Sequence, residues 1–359
     1  MTVKNLRVEN FRNIENIELI PCDEVNILFG QNAQGKTNLL EALWLCSGAR
    51  SFRDSKEKDL IKFGEKKGEI SSQFFANNRE QNIKLSIEEK KKYSLNKTDI
   101  KSSSELIGIY NAVIFSPDHL SLVKSGPEVR RKFLDDSLCR LKSGAKSLVN
   151  EYKRVVIQRN ALLKENSQNP NKEMMDFWNN LLAEYGAKLC RQRQKYLEAI
   201  KPYATQFYSG LTKENETLDL QYEGEKYSVQ DGKELLLKDI EKNMAEDEKY
   251  LTTTVGPHRH DLFVTINGIS ARNFGSQGQQ RSAAIALKLA ESSFMNEYFG
   301  EQPIVLLDDV MSELDKSRQN YILNRLKGRQ VFITCCDPRQ ISEMTGGKCF
   351  EIEKGNLIL

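Results

Sequence analysis

The chain has 359 residues, enough for two or three domains, and its 39% hydrophobic and 29% charged content is ordinary for a soluble globular protein. Because 53 basic residues nearly balance 50 acidic ones, the net charge is only +3 and any nucleic-acid surface must be local. The sequence shows no membrane-spanning run or signal-peptide pattern, and seven cysteines without a C-x-x-C pair argue against a disulfide framework or a zinc ribbon. We expect a cytoplasmic protein without a membrane partner.

The order of predicted elements indicates two domains. In residues 1–120 the runs "VNILF", "EISSQFFA", "QNIKLSIEE" and "NAVIF" predict short strands separated by turn residues. Residues 121–251 contain long polar segments with apolar residues at helical spacing, which predict a mostly helical insertion. Short strands and helices return from residue 252, so residues 1–120 and 252–359 are predicted to form one discontinuous domain. The predicted fold class is α/β (α+β).

The stretch "FGQNAQGKTNLLEALWLC" contains the spacing Gly-x-x-x-x-Gly-Lys-Thr of a phosphate-binding P-loop. A predicted strand, Val25–Phe29, precedes it, and an amphipathic helix from Lys36 is predicted to follow, with Leu39, Leu40, Leu43 and Trp44 on one face. A structural strand-to-helix turn would explain the glycines but not the Lys-Thr pair. The predicted nucleotide-binding residues are Gly30, Gln31, Asn32, Ala33, Gln34, Gly35, Lys36, Thr37 and Asn38.

The P-loop alone does not identify the nucleotide, because "NKTD" (Asn96–Asp99) matches the guanine-binding motif of GTPases. A GTPase would also need an Asp-x-x-Gly switch between the two motifs, and this sequence has none there. We therefore interpret Asn96–Asp99 as a polar hairpin turn.

The run "IVLLDDVMSELD" predicts a buried strand that ends in two carboxylates, the Walker B arrangement. Parallel strands bring their carboxyl ends to one edge of a sheet, so Asp308 and Asp309 are expected beside the P-loop. We predict that Asp308 and Thr37 hold Mg²⁺, that Lys36 binds the β/γ-phosphates, and that Asp309 orients or deprotonates the attacking water. A strand followed by an acidic helix start would explain one carboxylate but not the pair.

The segment "NFGSQGQQRSAAIALKLAESSF" opens a helix with Ser276, Gln277, Gly278 and Gln279. Ser276 and Gln279 have the spacing of a capping box. The cluster also resembles the signature motif of ABC-type ATPases, in which such a helix start contacts the γ-phosphate of ATP bound to the other subunit. The two interpretations are compatible. Ser312 and Asp315 in "MSELD" resemble the D-loop of the same ATPases.

Five further segments narrow the resemblance: "LRVENFRNIENIEL", "SFRD", "VIFSPDHLSLVKSGPEVRRKFLD", "TTTVGPHRHDL" and "GSQGQQRSAAIALKLAE". Together they resemble the RecF family of recombination-repair ATPases, relatives of the SMC-type heads. The resemblance implies an ABC-type P-loop ATPase head with a mostly helical second lobe and no long coiled coil. It also implies a weak DNA-stimulated ATPase and an ATP-dependent homodimer on duplex DNA or single/double-strand junctions. The implied partners are RecR with RecO, and the implied processes are DNA replication, repair of gapped or stalled DNA and the SOS response.

The resemblance also assigns less obvious positions. Arg53 stands where SMC-like heads carry an arginine that couples DNA to the active site. Residues Ser116 to Asp118 stand at the Q-loop position but include no glutamine. The switch position reads Thr334-Cys335-Cys336-Asp337 instead of the histidine of transporter-type ATPases. This departure, together with the short side chain of Asp309, predicts slow turnover.

Basic residues beside the helical lobe are the predicted DNA contacts, through phosphate charge and with little sequence selectivity. The candidates are Lys124, Arg130, Arg131, Lys132 and Arg140. A solvated charged face would give the same pattern.

The segment His258-Arg259-His260-Asp261 allows two interpretations. Alternating histidines on a strand would point two imidazoles to one side, as metal ligands can. No cysteine or third histidine is placed to complete a zinc site, which favours a structural or phosphate-facing basic site.

Two rival classes remain open. A transporter-type ABC subunit is disfavoured by the helical insertion, the missing switch histidine and the form of the signature. An SMC-like structural DNA tether is disfavoured because Gly144, Pro170 and Pro202 are predicted to break long coiled-coil arms.

Overall fold

The computed structural model describes residues 1–359 except Asp54, residues 167–170, Glu214 and Leu359. Asp54 of the "SFRD" motif and the predicted break at Pro170 therefore lie outside the described residues. The chain forms two compact units, Met1–Leu120 with Ala284–Leu359, and Ser121–Ala283. The domain bounds predicted from the sequence stay a prediction, and residues 252–283 group with the second unit.

The chain combines runs of consecutive strands with runs of consecutive helices, in agreement with the α/β (α+β) prediction. The strands are β1 Thr2–Phe11, β2 Ile14–Leu19, β3 Val25–Phe29, β4 Gly68–Ala76, β5 Arg79–Ile87, β6 Lys91–Leu95, β7 Thr98–Ile100, β8 Ala112–Phe115, β9 Leu218–Tyr222, β10 Leu262–Ile266, β11 Ile269–Ser270, β12 Ile304–Asp308, β13 Val331–Cys335, β14 Lys348–Glu353 and β15 Asn356–Ile358. The helices are α1 Lys36–Leu45, α2 Pro117–Leu120, α3 Pro127–Leu141, α4 Ala145–Asn166, α5 Lys172–Leu211, α6 Gly232–Lys242, α7 Met244–Tyr250, α8 Ala271–Phe274, α9 Gln277–Phe299, α10 Lys316–Arg325 and α11 Arg339–Thr345. Among the described residues, none of the helices combines the length and apolarity needed to cross a bilayer.

A mainly parallel sheet organises the first unit. Its strand order is β15-β14-β3-β13-β12-β8, and only β15 pairs antiparallel, with β14. Every residue of β12 and β13 is buried, which explains their continuous apolar sequences. Because β13 lies between β3 and β12, the loop after β3 and the carboxylates that end β12 lie at the same sheet edge. The predicted buried strand and its position beside the P-loop are confirmed, and its Walker B role stays a prediction.

An antiparallel sheet of order β2-β1-β4-β5-β6-β7 shares one hydrophobic core with the parallel sheet and α1. All residues of α1 from Leu39 to Leu45 are buried, Glu41 included. The amphipathic prediction for α1 is therefore wrong, because both sheets cover the helix. The hairpin prediction for Asn96–Asp99 is confirmed, since Asn96 and Lys97 adopt φ of 52° and 68° between β6 and β7.

Helices dominate the second unit, together with a small antiparallel sheet of order β11-β10-β9. The break at Gly144 is confirmed, because α3 ends at Leu141 and α4 begins at Ala145. The break at Pro202 is wrong: α5 runs through it for 40 residues, about 60 Å. Proline removes one backbone donor, but the buried residues on both sides, among them Ile200 and Ala204, hold the helix together.

Candidate functional site

The loop between β3 and α1 has the backbone of a phosphate cradle. Gly30 and Gly35 adopt φ of 145° and 113°, and Ala33 adopts 64°. A Cβ atom on Gly30 would lie 2.3 Å from the carbonyl oxygen of Ile352, so no other residue fits there. Gly35 is the N-cap of α1 and has no side chain to cap the helix, which leaves the first backbone N–H groups to an anion.

Lys36 places its ammonium group inside this loop. Its Nζ donates to the carbonyl oxygens of Gly30, at 2.6 Å, and Gln31, at 2.8 Å. The side chain is buried. An ammonium group held on main-chain oxygens is positioned to exchange them for phosphate oxygens, which bind it through charge as well as hydrogen bonds.

Asp308 joins the P-loop to the end of β12. Its Oδ1 accepts hydrogen bonds from Thr37 Oγ1 at 2.8 Å and from Thr334 Oγ1 at 2.9 Å. Burial raises the pKa of Asp308 above its ordinary value, and nearby Asp309 adds to the shift, while the two hydroxyl bonds oppose it. A buried carboxylate beside a hydroxyl is the hard-oxygen chemistry that suits Mg²⁺, so Thr37 and Asp308 fit the metal predicted from the sequence.

Asp309 differs from Asp308 because it is exposed at the sheet edge. Its backbone has φ of 53°, and its N–H donates to Thr334 Oγ1 at 2.9 Å. Ser312 Oγ donates to the carbonyl oxygen of Asp309 at 2.7 Å and to its carboxylate at 3.0 Å. Ser312 of the predicted D-loop therefore contacts Asp309, whereas Asp315 caps α10 by accepting from Arg318 N. Thr334, at the predicted switch position, connects the carboxylate of Asp308 to the backbone N–H of Asp309.

Arg53 lies beside the P-loop helix. Its Nη1 donates to Asn38 Oδ1 at 2.8 Å and lies 3.7 Å from Glu41 Oε2. Its guanidinium also lowers the pKa of Asp308, although burial outweighs that effect. The structure thus brings Arg53 close to the nucleotide loop, and its coupling to DNA stays a prediction.

Sequence reasoning missed an arginine that anchors α1. Arg12 donates through Nε and Nη2 to the two carboxylate oxygens of buried Glu41, both at 2.9 Å. The next residue, Asn13, accepts from Asn38 Nδ2 at 2.7 Å and donates weakly to Ala33 O at 3.4 Å. The "FRN" of the N-terminal segment was the available signal.

The predicted signature residues start α9 in the second unit. Ser276 N donates to Gln279 Oε1 at 2.8 Å, and Gln279 N donates to Ser276 Oγ at 3.2 Å, so the capping box is confirmed. Ser276 and Gln277 are exposed, and Gly278 is partly so. Because Ser276 Oγ acts as an acceptor toward Gln279, its own O–H can donate to an incoming oxyanion.

The predicted DNA contacts separate into two groups. Lys124 and Lys132 are exposed, and Arg131 and Arg140 are partly buried. Arg130 is buried: it makes two 2.7 Å hydrogen bonds to Asp261 and donates to the carbonyl oxygens of Leu122, Val123 and Ser125. Its candidate role is therefore corrected to a structural one, because its donors are already used inside the second unit.

The His258–Asp261 segment is part of the packing of the second unit, and residues 257–259 form a turn rather than a strand. His258 Nδ1 bonds Tyr152 Oη at 2.7 Å and its Nε2 lies 3.0 Å from Thr253 O. His260 Nδ1 lies 3.2 Å from Tyr222 Oη, and its ring stacks on Tyr227.

Burial keeps both imidazoles neutral. It lowers the pKa of His258 to about 4, with the charges of Arg259 and Arg131 adding to the effect, and that of His260 to about 3, with Arg193 adding. This supports the structural interpretation. Among the described residues, no group of three or more His, Cys, Asp or Glu side chains is arranged to hold a metal ion.

The predicted Q-loop position follows β8 directly. Ser116 Oγ bonds His119 Nδ1 at 2.9 Å, and α2 begins at Pro117. This contact closes a turn at the end of β8. It involves no residue of the P-loop, so the Q-loop assignment stays a prediction.

The whole chain is similar to known DNA replication and repair proteins. The family model described as "RecF/RecN/SMC N terminal domain" matches residues 2–356. The chain is 38% identical over 362 residues to "DNA replication and repair protein RecF" of Agathobacter rectalis, covering 99% of each sequence. It matches the solved "Structure of the recombination mediator protein RecF-ATPrS in RecFOR pathway" with a TM-score of 0.91 and 38% identity, covering 99% of this chain and 97% of that one.

A more distant structure supports the fold alone. The Smc head domain derived from Pyrococcus furiosus matches with a TM-score of 0.57 and 16% identity, covering 99% of this chain and 95% of that one. The predicted ATPase-head fold is confirmed by these matches.

Proposed function

The chain belongs to the RecF family of SMC-like ATPases, and on that basis we propose that it is an ATP-dependent DNA-binding protein acting in recombinational repair of gapped or stalled DNA. The observation that carries the proposal is the 2.8 Å bond between Thr37 of the P-loop and Asp308 at the end of β12. It joins the phosphate loop to the metal-binding carboxylate within one unit. Relatives of known structure are described as "RecF-ATPrS" and "RecF-ATP", which supports ATP as the nucleotide.

Each side chain of this site has a distinct role in the proposed weak, DNA-stimulated ATPase. Lys36 binds the β/γ-phosphate oxygens, and Thr37 and Asp308 are the residues that would hold Mg²⁺, which neutralises phosphate charge when bound. Asp309 accepts a hydrogen bond from the attacking water and orients it. Because aspartate is short and Ser312 already bonds its carboxylate, water is held loosely and hydrolysis is slow.

ATP binding closes a head-to-tail dimer in this proposal. The Ser276 hydroxyl and the first N–H groups of α9 in one subunit bind the γ-phosphate held by Lys36 of the other. Slow hydrolysis then opens the dimer. The exposed Ser276 and the capping box that shapes its surroundings support this assignment.

The closed dimer is proposed to hold duplex DNA or a single/double-strand junction through phosphate contacts. Lys124, Lys132, Arg131 and Arg140 remain as candidates, while buried Arg130 does not. The partners are proposed to be RecR together with RecO, since a relative of known structure is described as a mediator in the RecFOR pathway.

DNA retention tests the proposal directly. Gel retardation with duplex, single-stranded and gapped DNA should show binding that needs ATP and weakens steeply with salt. Lys132→Glu should weaken retention about tenfold through charge reversal. Lys238→Glu, at an exposed site of the same unit, is the matched control for the same charge reversal. ATP-independent retention would contradict the proposal.

A second experiment tests the composite site. Lys36→Met breaks the P-loop half, and Ser276→Arg places a bulky cation at the signature half, so each variant alone should be inactive. In a mixture, one interface of the heterodimer joins an intact P-loop to an intact signature. ATP-dependent association should return below the wild-type level. If subunits exchange but nucleotide bound at Lys36 never cross-links near Ser276 of the other chain, the head-to-tail mechanism is wrong.

A further inference from the structure

Glu216 lies between the end of α5 and the start of α9, within the second unit. One carboxylate oxygen accepts a hydrogen bond from Tyr208 Oη, and the other accepts from Gln279 Nε2, both at 2.6 Å. Tyr208 is fully buried in the last turn of α5. The bridge therefore has one end fixed in the packing of that helix and the other end on a signature residue.

The same amide group of Gln279 also forms the capping box. Its Oε1 accepts from Ser276 N at 2.8 Å while its Nε2 donates to Glu216. A carboxylate can only accept hydrogen bonds, so the Gln279 amide must turn its Nε2 toward Glu216. Its Oε1 then faces the backbone N–H of Ser276. Because the amide is planar, one contact sets the orientation of the other. Glu216 thus selects the amide orientation that caps α9.

The charge of Glu216 argues against direct phosphate binding. A carboxylate near an oxyanion opposes its binding, so this residue is explained by the geometry it imposes. Its two short bonds are charge-assisted, which makes them stronger than bonds between neutral groups. The same bonds connect the last turn of the 40-residue helix α5 to the first turn of α9.

We propose that Glu216 is a positioning residue for nucleotide engagement. It holds Gln279 in the orientation that keeps the Ser276 hydroxyl and the first amides of α9 directed toward the phosphate of the opposite subunit. This inference rests on the proposed function, because it assigns Glu216 to the signature half of the composite site. It also makes the end of α5 part of the nucleotide response.

Hydrogen exchange of residues 275–281 in the nucleotide-free protein tests the geometry. Glu216→Ala should speed exchange there about fivefold, the effect of losing one helix-capping interaction. Glu216→Gln should exchange more slowly than Glu216→Ala but faster than the wild type, because its Oε1 can accept from Gln279 without the charge assistance of the carboxylate. Glu225→Ala, an exposed acidic residue of the same unit, is the control. Tyr208→Phe, which removes one bond and keeps the ring, should give an intermediate rate.

ATP-dependent self-association tests the role. Glu216→Ala should weaken association about tenfold while ATP binding to isolated subunits stays unchanged, because the P-loop is intact. In a Gln279→Ala background the same substitution should add less than about twofold, since Glu216 acts through Gln279.

The outcomes separate the two proposals. Wild-type exchange and association in Glu216→Ala overturn the positioning role, and so do fully additive effects with Gln279→Ala or a Glu216→Gln variant as defective as Glu216→Ala. A third outcome is faster exchange in Glu216→Ala together with a wild type that does not associate when ATP is added. The exchange result would support the positioning of α9 by Glu216, and the lack of association would refute the proposed function.

Discussion

Two desolvated histidines, buried His260 and partly buried His258, predict that the second unit loses stability between about pH 7 and about pH 5. Burial lowers the pKa of His258 to about 4 and that of His260 to about 3 in the folded protein. In the unfolded chain both imidazoles have the ordinary pKa of about 6.5. As the pH falls through 6.5, the unfolded state takes up protons that the folded state does not. The free energy of unfolding therefore falls with pH in this window, until the folded pKa values are reached.

The size of the effect follows from these values. At about pH 5 each unfolded imidazole is almost fully protonated, which favours unfolding by about 2 kcal/mol relative to about pH 7. The folded imidazoles are still almost wholly neutral at about pH 5. Proton uptake by the folded state therefore offsets little of this loss of stability. The two histidines together should therefore reduce the free energy of unfolding by about 4 kcal/mol.

Denaturant unfolding at a series of pH values measures this difference. His258→Asn and His260→Asn each remove one titrating group, so each should flatten the pH dependence by about 2 kcal/mol, whatever its effect on absolute stability. NMR titration of the imidazoles gives the native pKa values directly. Either imidazole titrating near 6.5 in the native protein, or an unchanged slope in the double variant, would refute the reasoning.

Three further predictions concern the first unit. Lys36→Met removes the ammonium group from the P-loop and should weaken ATP binding by about tenfold to a hundredfold with the fold intact, as nucleotide titration and circular dichroism would show. Asp309→Asn keeps the shape but not the basicity, so hydrolysis should slow about a hundredfold while ATP-dependent dimers last longer; an unchanged rate in a phosphate-release assay would remove Asp309 from that role. Arg12→Ala leaves the carboxylate of Glu41 buried without its main partner and should reduce the free energy of unfolding by about 3 kcal/mol, against less than about 1 for Lys4→Ala at an exposed ion pair. Equal losses in these two variants, measured by denaturant unfolding, would contradict the last prediction.

Much of the candidate site was predictable because its chemistry is local. The P-loop glycines, the Lys-Thr pair, the strand ending at Asp308 and the capping box of Ser276 all depend on residues adjacent along the chain. The backbone conformations and short-range hydrogen bonds that they specify are properties of those neighbours. The same holds for the hairpin turn at Asn96 and Lys97.

Other assignments needed distances between remote residues. In the sequence, Arg130 is one of several basic residues on a predicted helix. In the structure it pairs with Asp261, 131 positions away, and is buried. Arg12 stood within the N-terminal "FRN" segment, but nothing in the sequence paired it with Glu41, and their ion pair anchors α1. Pro202 predicted a helix break that packing on both sides of it overrides.

The sequence by itself determined the nucleotide loop, the paired carboxylates, the capping box and the order of strand-rich and helix-rich segments, since each depends on the order of nearby residues. Only the tertiary structure decided which charges are buried, which helix is covered on all sides, and how Glu216 reaches Gln279 across 63 positions. The physical reason is that burial and pairing depend on which distant segments the fold brings into contact, and the free energy of a charged group depends on those contacts.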